Sequence, residues 1–316
     1  MIDKKEYTII GIDGGGTKTR GIIYSNDEIQ AELVAGTTRI GAVGVGESCE
    51  RTLTVISELC NKINIETREV DAIVVGLAGV WLEEEKKRSQ NLIKTLARSQ
   101  NTIINDIMVT SDAEIAIKGA FAGEDGIMTI VGTGSIALGK FKNKFYRCGG
   151  WGIELDDEGS GAWIGREGLT AVVRSLDGRG IPTQLAKEIE SLYPTINLQE
   201  PRTIVKAYSE RAFEYQNLSP YVMKCAENGD EVCMRIIQES AVHLAELPNA
   251  IIKNVDKFPV NVALMGGIID ADTLLKKLLE KEIQENQKLK LVKPKGTALD
   301  GAISMGFEMI VKDIEN

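Results

Sequence analysis

The stretch IIGIDGGGTKTRGIIY, residues 9–24, sets two apolar segments on either side of three consecutive glycines, Gly14, Gly15 and Gly16. Asp13 stands before them and Thr17, Lys18 and Thr19 after them. Glycine turns the chain sharply and lets a ligand approach the backbone, so a strand ending in glycines beside hydroxyls presents several N–H groups to one point. Such turns suit anions. The spacing is not GxxxxGK[ST], and the segment that follows, RGIIYS, reads as a strand rather than the helix that GxGxxG would open. A phosphate-holding hairpin and a plain tight hairpin remain. Asp13 favours the first: a carboxylate beside a phosphate site repels the anion unless a divalent cation lies between them, which suggests a nucleotide bound with Mg²⁺. The hydroxyls of Thr17 and Thr19 are further candidate donors. So is the ammonium of Lys18, unless it points to solvent.

Working outward, YTIIGID, RGIIYS and EIQAELVAG form a three-strand meander. In GESCERTLTVISELCNKI, Leu53, Ile56, Leu59, Cys60 and Ile63 recur at the three-and-four spacing of an amphipathic helix. A buried strand AIVVGLAG, a charged helix EEEKKRSQNLIKTLARS, a strand DIMVTSD and a helix AEIAIKGAF follow, the alternation of parallel strands with helical crossovers. At AGEDG, residues 122–126, the pattern breaks and restarts with GIMTIVGTGS, IALGKF, a turn at KNK, and KFYRCGG. A glycine-punctuated meander at the head of each half is a structural echo rather than a sequence repeat. Beyond the helix GAWIGREGLTAVVRSL, residues 183–254 read as mostly helical without a resolvable register. The strand NVALMGG, a helix near ADTLLKKLLEKEI, the short strand KLKLVKP and the helix TALDGAISMGFEMIV complete the chain. The expected fold class is α/β: two doubly wound lobes, residues 1–120 and 121–316, with a cleft between them and the last helix packing back on the first lobe.

A chain of 316 residues with 43% hydrophobic and 26% charged residues is globular, and long enough for two domains. A net charge of −9 without a basic patch disfavours nucleic acid and anionic membranes, leaving small-molecule partners. The opening MIDKKEYTII lacks the apolar run of a signal peptide or membrane span, so a cytoplasmic location is expected. The five cysteines are scattered without a CxxC pair, and the one histidine, His243, lies in a helical pattern; metal sites or triads built on histidine are disfavoured.

The second half repeats the first turn's chemistry in VGTGS, with Gly132 and Gly134 for close approach and Thr133 and Ser135 as donors. A third glycine pair, Gly266 and Gly267 in ALMGG, closes the last long strand, where a flat base could rest on exposed backbone. In GGWGIELDDEGSG the indole of Trp151 can pack on the apolar face of a sugar, Gly149, Gly150 and Gly152 let backbone come close, and Asp157 and Glu158 can accept hydrogen bonds from hydroxyls. An acidic turn capping the helix near Ser160 is the alternative, better suited to Glu158. Trp163 and Trp81 read as packing residues.

Taken in this order, the three turns resemble those of the sugar kinase, Hsp70 and actin superfamily of ATPases, whose fold is two-lobed, actin-like and ribonuclease H-like. VTSDAEIAIKGA and CGGWGIELDDEGSGAWIGREGL are similar to the N-acetylglucosamine kinase branch, with the BadF/BadG/BcrA/BcrD ATPases. The resemblance implies an ATP-dependent kinase acting on the 6-hydroxyl of N-acetylglucosamine or a close amino sugar such as N-acetylmuramic acid or glucosamine. ATP and Mg²⁺ would lie in the cleft, and the chain would form a homodimer. It implies Asp13 facing the metal, Asp112 as catalytic base, and Gly14–Thr19, Gly132–Ser135 and Gly266–Gly267 around the nucleotide. Gly150 and Trp151 would meet the N-acetyl group, and Asp157 and Gly161 would complete the sugar site. The chemistry concurs, since a kinase needs a carboxylate within reach of the attacking oxygen and otherwise works by positioning and charge neutralisation. Helix N-capping is the bland alternative for Asp112.

The chain departs from the family in three places. Asp156 replaces a glycine before DEGS, and Asp300 replaces another in GTALDGAI. Where relatives carry a sugar-holding asparagine after the third strand, this chain reads AGTTRIG, so Thr37, Thr38 or Arg39 would substitute, and Arg39 would suit an acidic amino sugar. The competing readings are an iron–sulfur activator of a 2-hydroxyacyl-CoA dehydratase and a non-catalytic sugar sensor. The first lacks a close cysteine partner for Cys148, and the second leaves Asp112 and both turns without a purpose.

Overall fold

The apolar runs around the first glycine turn become β1 (Ile9–Gly14) and β2 (Lys18–Ser25), antiparallel with Asp13 opposite Arg20 and Gly14 opposite Thr19. The turn itself is therefore residues 15–17. The structure, a computed structural model, describes residues 7–142 and 144–315, the side chains of 313–315 excepted. β3 (Glu28–Gly36) continues the antiparallel meander, while β4 (Ala72–Leu77) and β5 (Ile107–Ser111) add parallel strands, giving the order β3-β2-β1-β4-β5. Every residue of β4 is buried, as expected of a strand covered on both faces. Alternation along the strands divides the core. Ile10, Ile12 and Val75 pack with Val55, Ile56, Leu59 and Ile93 of the helices Val45–Lys62 and Glu83–Ser99. Ile9 and Val74 meet the other side, covered by the helices Asp112–Ala120 and Ala298–Glu315.

The second sheet repeats this plan. β6 (Gly126–Val131), β7 (Ser135–Phe141) and β8 (Lys144–Gly149) form the antiparallel meander, and β9 (Val260–Met265) and β10 (Leu289–Leu291) the parallel pair, in the order β10-β9-β6-β7-β8. The echo between the halves is thus a duplicated five-stranded topology. Of the turn expected at KNK, Asn143 lies outside the described residues. The chain forms two compact units: one runs to Glu124 and resumes at Pro294, and the other is Asp125–Lys293. Among the described residues no helix is long and apolar enough to cross a membrane.

The region without a readable register contains four helices, Leu185–Leu192, Arg202–Ser209, Tyr215–Glu227 and Glu231–Ile251, the last two each carrying an internal proline. Asp230 stitches two of its segments together. Its carboxylate caps the last helix by accepting from Cys233 N at 2.9 Å, and also accepts from Gln184 N at 2.6 Å and Thr183 Oγ1 at 2.9 Å. Burial pushes this carboxyl up, but the bonds from Cys233, Gln184 and Thr183 outweigh it and hold the group below the usual carboxylate range. A depressed native pKa adds stability above the unfolded value and loses it as pH falls through the native one. Asp230→Ala should cost about 2 kcal/mol, from the lost cap and the orphaned donors, read as a lower urea midpoint at pH 7. That deficit should shrink as the pH is lowered below about 4, where the unfolded-state carboxyl titrates.

Candidate active site

β1, β4 and β5 run parallel, and their C-terminal ends deliver Asp13, Gly76 and Asp112 to one edge of the first sheet: Asp13 pairs with Gly76, Gly76 with Thr110, and Asp112 follows Ser111. This is where open α/β sheets bind ligands. Gly76 is required there, since a Cβ would lie 2.4 Å from Ile115 Cδ1 and 3.1 Å from Asp112 Cα. The helix bearing Asp112 can therefore sit directly against β4.

Asp112 does not cap that helix. Ser111 does, its Oγ accepting from Glu114 N at 3.1 Å, while Glu114 returns the contact by accepting from Ser111 N at 3.2 Å. Glu114 also accepts from the Thr110 hydroxyl and pairs with Lys86 at 2.8 Å, both ion-pair side chains being largely buried. With these neighbours fixing the helix start, Asp112 is left with one bond from Ala113 N to its Oδ1, at 2.9 Å. Burial pushes its carboxyl up to about 6; the charge of Asp13 adds to this, and the N–H groups of Ala113 and Asp112 and the charge of Arg39 oppose it. A carboxylate poised near neutrality at a strand end is what proton abstraction from a hydroxyl requires.

The first turn has its carbonyls tied back. Gly15 N donates to Lys18 O at 3.1 Å, and the Thr37 hydroxyl lies 2.9 Å from Gly15 O and 3.1 Å from Gly16 O. The N–H groups of Gly16 and Thr17, both exposed, have no bonded partner among the described residues. Lys18 is exposed as well. Asp13 is 15% exposed, and its Oδ2 pairs with Arg20 Nη2 at 2.8 Å, across the hairpin register.

Two hydroxyls expected to meet ligand in this unit are committed to each other instead. Thr19 and Thr38 are fully buried and share a hydrogen bond of 3.0 Å, so neither hydroxyl is presented to phosphate or sugar; together they fasten the turn to the segment after β3. Gly14 is buried too, and a Cβ there would lie 2.4 Å from Thr38 Oγ1. Its smallness serves that packing.

In the other unit the second turn occupies residues 132–134 between β6 and β7. Its carbonyls are again taken up: Gly161 N donates to Gly132 O at 2.9 Å, Ala162 N to Thr133 O at 3.0 Å, and Gly132 N to Gly134 O at 2.9 Å. The N–H groups of Thr133 and Gly134 have no bonded partner among the described residues. Here Ser135 and Gly161 are corrected. The Ser135 hydroxyl is buried and donates to Glu158 O at 3.1 Å, and Gly161 is buried with its N–H committed to the turn. Gly266 lies against the same turn, because β9 pairs with β6; a Cβ there would lie 2.4 Å from Val131 O. Gly267 is exposed beside it with open space around its Cα.

The block after β8 coils through left-handed backbone. Gly150 adopts φ +77° with the side chain of Ile136 closely packed where a Cβ would be, and Asp157, a non-glycine, adopts φ +57°. Such a conformation in a non-glycine residue often marks a functional position. Its Oδ1 accepts from Ser135 N at 3.4 Å and its carboxylate lies over Gly134, bringing the acidic block and the second turn together. Burial pushes the Asp157 carboxyl up, with the Ser135 N–H opposing and the Asp156 charge adding. Trp151 is 65% exposed; the Arg147 guanidinium covers one ring face at 4.2 Å and holds Gly149 O and Gly150 O at 3.1 and 2.5 Å. The residue replacing a family glycine, Asp156, accepts from Trp151 N at 3.1 Å. Ser160, not Glu158, caps the helix Gly161–Leu176. Trp163 is buried against His243, whereas Trp81 is 37% exposed.

Two copies of this sheet, each with a glycine turn between its first two strands, define the actin-like ATPase fold. The chain belongs to the BadF/BadG/BcrA/BcrD ATPase family, whose model matches residues 10–306. It is 31% identical over 301 residues to an N-acetylmuramic acid/N-acetylglucosamine kinase of Clostridium acetobutylicum, covering 93% of this chain and 96% of the relative. It is also 31% identical over 297 residues to an N-acetyl-D-glucosamine kinase of Dictyostelium discoideum, covering 88% and 90%. Among solved structures, a candidate N-acetylglucosamine kinase of Chromobacterium violaceum superposes with a TM-score of 0.71 at 24% identity, over 94% of this chain and 98% of that one.

Proposed function

We propose that this chain is an ATP-dependent kinase that phosphorylates the 6-hydroxyl of N-acetylglucosamine or a close amino sugar. The observation that carries the reading is Asp112: a carboxyl at the C-terminal edge of a parallel sheet, relieved of capping by Ser111, with its pKa raised to about 6. In this reading Asp112 takes the proton of the sugar hydroxyl as that oxygen attacks the γ-phosphorus of ATP; the bond to the bridging oxygen breaks and ADP leaves. In the first unit the N–H groups of Gly16 and Thr17 are the candidate donors to phosphate oxygens; in the second, those of Thr133 and Gly134 are, with Gly267 the open position for an adenosine. Trp151 offers its free face to the sugar or its N-acetyl methyl, and Asp157 accepts from sugar hydroxyls.

Among the described residues no group of three or more ligating side chains could hold a metal by itself. Asp13 keeps one carboxylate oxygen beyond its bond to Arg20, which fits Mg²⁺ arriving with the nucleotide, an ion that takes one or two carboxylates together with phosphates and water. Bound there, the ion would supply charge neutralisation of the phosphates. Family resemblance adds a homodimer, to be checked by light scattering.

The reading is tested by ADP release from Mg-ATP with glucose, glucosamine, N-acetylglucosamine, N-acetylmannosamine and N-acetylmuramic acid. An N-acetylated amino sugar should raise turnover well above the ATP-only blank; no increase with any sugar would refute it. The pH profile follows from Asp112. The base must be ionised, so kcat should be level between about pH 7 and 8 and fall towards tenfold per unit below about pH 6. A kcat unchanged down to pH 5 would remove Asp112 from that role.

A further inference from the structure

The helix Glu83–Ser99 begins a short segment after β4, and its first turn is closed by Glu85, whose carboxylate accepts from Trp81 N and Leu82 N at 2.9 Å each, while Lys86 N donates to Leu82 O at 3.0 Å. From this fixed base the Lys86 ammonium reaches the next junction of strand and helix, the one after β5. It donates there to Glu114 Oε1 at 2.8 Å, both side chains being 12% exposed, and also to Glu83 Oε1 at 2.7 Å, on a carboxylate that is 77% exposed. Burial pulls the ammonium down, but the bonds to Glu114 and Glu83 outweigh it and hold Lys86 above the usual lysine range, so it stays charged.

The other oxygen of Glu114 is spent on the two residues that precede Asp112. Glu114 Oε2 accepts from Thr110 Oγ1 and, at 3.2 Å, from Ser111 N. An enclosed carboxylate is costly to keep in place without a cation, and if it turns away the acceptor for Thr110 and Ser111 goes with it. Asp112 is the first residue of the helix held in this way. Reacting groups tolerate little displacement: a misplacement of about 1 Å costs on the order of a hundredfold in rate.

We propose that Lys86 is a positioning residue for Asp112: its ammonium keeps the Glu114 carboxylate in place, and that carboxylate clamps Thr110 and Ser111 and so fixes where Asp112 stands. The inference rests on the kinase reading for its effect on rate, though not for the placement of Asp112 itself. The fold thereby links the junctions after β4 and β5, two neighbouring strands whose ends form the candidate active-site edge.

Lys86→Met should lower kcat per folded molecule about tenfold to hundredfold, with KM for ATP and sugar within about threefold, and Lys86→Arg should restore most of the rate. Lys86→Met/Glu114→Gln leaves neither charge and keeps an oxygen for Ser111 N, so it should recover most of the loss. Lys86→Met/Glu114→Ala leaves no acceptor and should stay slow. The contrast between the two double variants decides the matter even where Lys86→Met alone fails to fold. A Gln double variant as slow as the Ala one, a KM raised as far as kcat falls, or a folded Lys86→Met with wild-type kcat would overturn the proposal.

Placement is also read without turnover, from the carboxyl ¹³C titration of Asp112, assigned with Asp112→Asn. The charges acting on this group are Asp13, which is bonded to Arg20, and the exposed Arg39; on the helix Ala298–Glu315, packed against that of Asp112, Asp300 is bonded to Thr297 and Glu308 to Lys118. These variants alter none of them. Without the ammonium the Glu114 charge is uncompensated, so the Asp112 midpoint should rise by about 0.5 or more in Lys86→Met and return in the Gln double variant. If the midpoint moves in this way while the wild-type chain phosphorylates no sugar, the kinase reading fails and the positioning role stands. A midpoint unmoved in Lys86→Met would overturn the positioning role.

Discussion

Asp112→Asn should lower kcat for sugar phosphorylation by about 10²–10⁴-fold while changing sugar affinity less than about threefold. The substitution keeps shape and the capacity to accept from Ala113 N, and because Ser111 rather than Asp112 caps the helix, the fold is left intact. What is lost is the acceptor for the hydroxyl proton. Single-turnover phosphotransfer with Mg-ATP, together with calorimetric sugar binding, separates the two effects. A variant with wild-type kcat would show that proton transfer is not assisted at this position; one that lost binding as severely as rate would make Asp112 a sugar anchor instead.

Gly301→Val should be the most damaging packing change. The helices Ala298–Glu315 and Asp112–Ala120 meet backbone to backbone: a Cβ on Gly301 would lie 1.9 Å from Ile115 O, and one on Gly119 would lie 1.8 Å from Thr297 O. No rotamer relieves a clash with a carbonyl, so the helices must separate, uncovering Val74, Ile115 and Ala302. The expected cost is about 3 kcal/mol or more, at the upper end of overpacking effects. Urea denaturation measures it, with Gly46→Ala as the control. Gly46 lies in a helix with open space around its Cα, and the exchange there should be neutral or slightly stabilising. The contact also bears on activity, since the displaced helix carries Asp112. If Gly301→Val denatured at the wild-type midpoint, the close approach of these helices would be refuted.

The first turn was legible because its chemistry is local: three glycines between apolar strands can only be a sharp turn, and Asp13 beside it marks charge. Asp112 was legible as a carboxylate at the junction of a strand and a helix. Thr19 and Thr38 were misread because their burial comes from a hydrogen bond spanning nineteen residues of sequence, which no pattern in either segment shows. Ser135 and Gly161 were misread for the same reason, each being committed to a partner outside its own motif. Arg20 could have been found: four residues between the last paired positions, Gly14 and Thr19, place it opposite Asp13, and an alternating strand with one cation facing that carboxylate invites an ion pair. Gly76 could not, because its meaning lies in the helix that crosses it. The helices between 183 and 254 escaped because two are only eight residues long and two carry prolines, and their packing depends on Asp230 reaching back to Thr183 and Gln184. Asp156 read as an added charge near a sugar, and its structural work is to hold the Trp151 backbone.

In the proposed reaction phosphate passes from ATP to the 6-hydroxyl of an amino sugar with Asp112 receiving the proton. Incubating the protein with Mg-ATP and N-acetylglucosamine and recording a ³¹P–¹H correlation spectrum of the products tests it directly. A phosphorus resonance coupled to the two C6 protons, formed by the wild-type chain and absent with Asp112→Asn, is the predicted result. Inorganic phosphate in place of a sugar phosphate, or phosphorus coupled to the anomeric proton, would contradict it.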